Sequence, residues 1–231
     1  MASIKTAWYW FVRNLVRVLF FGAGGGFRVY GADRVPREGA IIVAPVHVST
    51  LDPPAVACGL PRMLAFMAKA ELFEFPLFGS LIRSLGAFPV RRGEGDTEAI
   101  RLTLRLLGEG RAVLVFPEGT RGDGQRMLPV NRGVAMLAKR SGATVLPVGL
   151  AGTAKRLPRG ASFPRFGRVT VFFGEPFRYS DLGGTGREQE RAFGAELQSR
   201  LLDACRQAGF PVEPPLPETT DAGSVAASDG A

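Results

Sequence analysis

From Phe27 to about Phe210 the chain alternates short apolar runs with amphipathic segments, and this alternation limits the fold more than any other feature. The runs AIIVAPV (40–46), MLAFMA (63–68), GAFPV (86–90), AVLVF (112–116), TVLPVGL (144–150) and RVTVFF (168–173) are short and rich in β-branched or aromatic residues, as buried strands are. Between them, Asp96–Glu109 and Arg132–Ser141 place apolar residues at helical spacing, and Gly142 follows the second where a helix C-terminus favours glycine. Glu188–Ala208 predicts a last helix with Phe193, Leu197 and Leu201 on one face. Strands that alternate with helices imply an α/β fold, with a mixed, mostly parallel central sheet flanked by helices.

A chain of 231 residues can bury one sizeable core and does not require a second. Three regions are expected: an N-terminal amphipathic helix over 1–26, a main domain over 27–210, and a disordered tail over 211–231. The tail reads PVEPPLPE followed by small polar residues, which offer no core to bury. It holds four acidic residues and no basic one, so the preceding part has 29 basic against 17 acidic residues, a formal charge of +12. Such a surface attracts polyanions, whether nucleic acid, an anionic membrane leaflet or a phosphorylated small molecule. Nucleic acid is disfavoured, because arginine is spread over the chain without an RNP-like aromatic motif or a helix-turn-helix pattern.

The stretch WYWFVRNLVRVLFFG (8–22) is the most apolar, yet Arg13 and Arg17 interrupt it, and it falls short of the roughly 20 apolar residues a spanning helix needs. The two arginines lie four apart on one helical face, with Trp8, Phe11, Leu15, Val18 and Leu19 on the other. Two readings fit: a helix lying in a bilayer interface with its arginines on lipid phosphates, or a helix packed on its own domain. A cleavable signal peptide does not fit arginines inside the apolar stretch. The two cysteines, Cys58 and Cys205, form no metal or redox spacing and are expected as buried apolar fillers.

His47 is the single histidine, so no ordinary zinc site is expected and no metal is implied. It follows an apolar strand, where ligands of open α/β sheets bind. Asp52, five positions later and just before Pro53, is either a helix N-cap or the carboxylate that orients His47 as a base. FPEGTRG (116–122) places Glu118, Gly119, Thr120 and Arg121 on a tight turn after a strand, either a phosphate clamp or a solvated surface turn. PVRRG (89–93) puts Arg91 and Arg92 beyond another strand, where successive side chains point to opposite sides.

Four blocks stand in one order: HVSTLD, GAFPVRR, FPEGTR and VLPVGL. In these, over roughly residues 25–180, the chain resembles the glycerolipid acyltransferases typified by 1-acylglycerol-3-phosphate acyltransferase. Two positions depart from the family pattern: Val46 stands where the family often has Asn, and Asn131-Arg132-Gly133 where it often has two basic residues before a Gly.

The resemblance implies acyl transfer from a thioester of coenzyme A or acyl carrier protein to a hydroxyl of a glycerol phosphate lipid, without a cofactor. His47 would be the base and Asp52 its orienting carboxylate. Ser49 would hold a local hydrogen bond rather than act as a nucleophile. Arg92, Glu118, Gly119, Thr120 and Arg121 would form the acceptor phosphate site, Glu118 by organising the turn. Val145, Pro147 and Val148 would line an acyl or pantetheine path. The expected partners are a membrane surface and its lysophospholipid, with attachment at the cytoplasmic face as a peripheral or monotopic protein.

Overall fold

The computed structural model describes residues 4–90 and 97–216. Helix α1 (Ile4–Leu15) continues as a π-helical stretch over Val16–Gly22. There follow β1 (Phe27–Tyr30), β2 (Ile41–Pro45), α2 (Asp52–Gly59), β3 (Leu64–Lys69), α3 (Pro76–Ser84), β4 (Ala87–Val90) and α4 (Thr97–Gly108). Then come β5 (Ala112–Leu114), α5 (Arg132–Ser141), β6 (Thr144–Ala151), the short α6 (Thr153–Arg156), β7 (Val169–Phe173), β8 (Phe177–Arg178) and α7 (Gly186–Ala208).

The described strands form one sheet in the order β1-β7-β6-β2-β5-β3-β4. Strands β6, β2, β5, β3 and β4 are parallel, while β7 and β8 pair antiparallel with β6 and β1 runs with β7. The sheet is thus mixed and mostly parallel. All six runs read as strands are strands, with ends shifted by a residue or two. β1, α3, the short α6 and the two-residue β8 are additional to the expected elements. β1 alternates half-buried and exposed residues at the sheet edge, so it lacks the apolar run of a buried strand. α3 buries Ile82 but leaves Leu77, Phe78 and Leu81 exposed, Leu77 at 90%, so its pattern does not read as a core-facing helix.

Alternation along β2 sends Ile41 and Val43 to one face and Ile42 and Ala44 to the other, all fully buried. The first face carries α2 through Ala55 and Val56, together with Phe21 of the N-terminal arm. The second carries α4, α5 and α7 through Leu107, Leu137, Phe193, Leu197 and Leu201. Each such side chain contributes about 1.5–3 kcal/mol when withdrawn from water. Gly149 of β6 permits the contact with α7: a Cβ there would stand 1.9 Å from the Ala204 carbonyl oxygen.

The connection from β2 passes through α2 on one face, and that from β5 through α5 on the other. Adjacent strands whose chains depart to opposite faces open a crevice at their carboxyl ends, where ligands of such sheets bind. His47 follows one of these strands and Phe116–Gly122 the other.

The N-terminal arm packs along α2 and is part of the folded body. The Tyr9 hydroxyl accepts from the Leu64 amide at 3.1 Å. Arg13 is half-buried and donates to the Ala57 and Leu60 carbonyls at the end of α2, both at 3.1 Å, while Arg17 lies over the Phe27 ring. The expectation that Arg13 reaches lipid phosphates is therefore corrected: the exposed carbonyls of a helix C-terminus attract a cation, and Arg13 supplies it. Trp8, Phe11, Leu15, Val18 and Leu19 do face outward. Among the described residues no helix is long and apolar enough to cross a membrane.

The expected start of the tail at 211 is also corrected. Glu213 exchanges backbone hydrogen bonds with Gln125 and Met127, and its carboxylate pairs with Arg126. The rest of the tail, 217–231, lies outside the described residues. Cys58 and Cys205 are buried, and burial pushes both thiols up to about 12.

Candidate active site

His47 and Asp52 meet. The His47 Nδ1 lies 2.9 Å from Asp52 Oδ2, with Asp52 at 0% side-chain exposure and His47 at 15%. The same oxygen accepts from the backbone amides of Val48 at 2.8 Å and Ser49 at 2.7 Å. A carboxylate facing Nδ1 places the ring proton there and leaves the Nε2 lone pair as the basic site. The His47 ring stacks on Phe116 with centroids 3.6 Å apart and 16° between planes, which fixes its remaining rotation.

The two readings of Asp52 are resolved by the prolines that follow it. A capping carboxylate accepts from amides two or three positions on. Here Pro53 and Pro54 have no N–H, and the Ala55 amide already bonds the Leu51 carbonyl. Leu51 is the N-cap and Asp52 makes no capping bond, so its carboxylate turns back to the 47–49 segment.

The turn after β5 clasps the same segment. Glu118 Oε1 accepts from the His47 amide and Oε2 from the Leu128 amide, each at 2.9 Å. The Gly122 amide donates to the His47 carbonyl at 2.8 Å. Both main-chain groups of His47 are therefore held by the 116–122 turn. Burial raises the Glu118 carboxyl above the ordinary range, against the two amides and the nearby His47, which pull it down. Both its oxygens are thus engaged by main-chain amides, and these two bonds are how Glu118 organises the turn.

Gly119 sits in the left-handed region at φ 69°, which lets the chain reverse with Thr120 exposed and Arg121 half-buried. Arg121 lines a cleft with Gly122, Arg126 and Leu128. Asn131 caps α5 by accepting from the Gly133 amide at 2.8 Å, and its own amide donates to the Pro117 carbonyl. The positive end of a ten-residue helix thus starts beside the turn.

The acyltransferase family model matches residues 26–151, which contain the His47–Asp52 pair and the 116–122 turn. The chain belongs to the acyltransferase family. It is 30% identical over 197 residues to a 1-acyl-sn-glycerol-3-phosphate acyltransferase of Bacillus subtilis (strain 168), covering 84% of this chain and 96% of that protein. It is 35% identical over 125 residues to a lyso-ornithine lipid O-acyltransferase of Pseudomonas aeruginosa, covering 54% of this chain and 47% of that one. The crystal structure of the 1-acyl-sn-glycerophosphate acyltransferase PlsC from Thermotoga maritima superposes with a TM-score of 0.70 at 27% identity, covering 90% of this chain and 83% of that one.

In this acyltransferase Ser49 is 2% exposed; its hydroxyl donates to the Leu157 carbonyl at 3.0 Å and accepts from the Leu51 amide. That local role agrees with the expectation. Val46 is buried in the core. Arg91 and Arg92 lie outside the described residues. Val145, Pro147 and Val148 are all buried, with Val145 in one core cluster and Val148 in the other. The expected acyl path along these three is corrected, because an odd and an even residue of one strand cannot line one wall. Sequence reasoning missed Phe116 and the capping role of Asn131. An Asn before an amphipathic helix was a signal for the second; nothing local marks the stacking of Phe116.

Proposed function

We propose that the chain transfers a fatty acyl group from a thioester of coenzyme A or acyl carrier protein to the sn-2 hydroxyl of 1-acylglycerol 3-phosphate, giving phosphatidic acid. The observation that carries this reading is the 2.9 Å contact between His47 Nδ1 and the buried Asp52, which turns Nε2 outward as a base. His47 Nε2 takes the hydroxyl proton as the oxygen attacks the thioester carbonyl. The carbon–sulfur bond then breaks, and the departing sulfur recovers the proton from the imidazolium that Asp52 stabilises. No cofactor and no covalent acyl-enzyme are required, since the hydroxyl is itself the nucleophile.

Arg121 and Arg92 hold the acceptor phosphate with the Gly119–Thr120 turn, and a phosphate fixed at one distance from His47 selects the hydroxyl that reacts. The exposed apolar face of α1 and its π-helical continuation docks on the cytoplasmic leaflet, where the lysophospholipid resides. Purified protein given one labelled acyl thioester and a panel of acceptors tests this: phosphatidic acid from 1-acylglycerol 3-phosphate is expected, and no product from it overturns the reading. A second acceptor, a lyso-ornithine lipid, is favoured by the 35% identity to the Pseudomonas enzyme, and product from that acceptor alone selects it.

A further inference from the structure

The loop between α6 and β7 carries Phe163 and Phe166 at 82% and 84% exposure. Rings that open to water are costly unless something covers them. Around them, residues 153–168 contain Lys155, Arg156, Arg159, Arg165 and Arg168 and no acidic residue. Arg159 and Arg165 are exposed.

The loop is tied to the N-terminal arm by hydrogen bonds. The buried guanidinium of Arg156 donates to the carbonyls of Phe20, Phe21 and Gly167, joining the loop to the end of the N-terminal arm. The Gly167 amide adds a 3.0 Å bond to the Gly24 carbonyl. Phe166 and Leu19 of the arm line one groove, so the exposed apolar face of the arm runs on into the loop. Its other end reaches the active site through the bond from Ser49 to Leu157.

We propose that this loop is a second bilayer contact. Phe163 and Phe166 enter the headgroup–acyl boundary of an anionic leaflet while Arg159 and Arg165 meet lipid phosphates. The contact then extends from the N-terminal arm to the mouth of the His47 site, where an acceptor lipid reaches the base without leaving the bilayer. This rests on the docking reading above. A bilayer fits better than a folded protein because every charged residue in the segment around the aromatic pair is a cation and the pair is continuous with the apolar face of the arm.

Two variants separate the claims: Phe163→Ser/Phe166→Ser, and Trp8→Ser/Phe11→Ser/Leu15→Ser. Each is sedimented with phosphatidylcholine vesicles with and without phosphatidylglycerol, with melting temperature as the folding control. The loop pair should weaken binding to the phosphatidylglycerol vesicles at least about tenfold with unchanged melting. Wild-type binding by the loop pair beside a weakened arm triple overturns the loop proposal and leaves the docking reading standing. Wild-type binding by both overturns both. Because the native thiols are buried, a dye attached to Phe166→Cys reports this position alone. A blue shift on adding the anionic vesicles is expected; no shift with vesicles but one with acyl carrier protein identifies a protein partner and refutes the bilayer contact.

Discussion

The buried carboxylate of Glu118 accepts a hydrogen bond from the backbone amide of His47 at 2.9 Å, so the turn after β5 holds the histidine of the turn after β2 by its main chain. With Gly122 on the His47 carbonyl, Asp52 on the imidazole and Phe116 on its face, the residue is fixed by four separate contacts. A base set this firmly acts by position, and its partners are best probed one at a time.

His47→Ala should lower acyl transfer by about two to four orders of magnitude while melting stays near wild type. Asp52→Asn should cost nearly as much, since an amide oxygen at the Oδ2 position can still accept these bonds but no longer brings the negative charge that stabilises the imidazolium. Retention of more than a few per cent of wild-type turnover by His47→Ala removes it from the role of base.

For Glu118→Gln, one of the two amides that the carboxylate serves would face an NH2 group. Stability should fall by about 1–3 kcal/mol and turnover with it. The pH sign follows from burial: a carboxyl raised in the folded state binds its proton more tightly there than in the unfolded chain. Glu118 therefore favours folding below the ordinary carboxylate range, and that advantage is lost as pH rises through its raised value. Denaturation of wild type against Glu118→Gln across acid pH should show this slope, and a slope of opposite sign contradicts it.

Removing the Arg13 guanidinium as Arg13→Ala leaves the Ala57 and Leu60 carbonyls without their donor. Loss of about 1–3 kcal/mol is expected, with vesicle binding and its salt dependence unchanged in the folded fraction. A clear loss of salt-dependent binding at wild-type stability would return Arg13 to the lipid surface.

Both thiols sit at about 12, so at pH 8 only roughly one molecule in ten thousand carries either thiolate. A thiol reagent should label native protein negligibly and take up two equivalents per chain in denaturant. Fast labelling of native protein would contradict the burial of Cys58 and Cys205.

Strand and helix periods on their own determined the α/β class, six of the eight described strands and the dyad's location beyond a strand end, because each of these depends on residues close in sequence. So did the orientation of Asp52, in principle: the absence of N–H groups at Pro53 and Pro54 is written in the chain. What the tertiary structure alone decided involves partners far apart in sequence. Glu118 and His47 are separated by 71 positions, Arg13 and Ala57 by 44, Ser49 and Leu157 by 108. A polar side chain is committed only when burial removes water as its alternative partner. For that reason Arg13 turned to a helix end rather than to lipid, and Glu118 organises its turn through the amides of His47 and Leu128. Likewise Val145 and Val148 entered opposite cores, as the pleat of a strand covered on both faces requires.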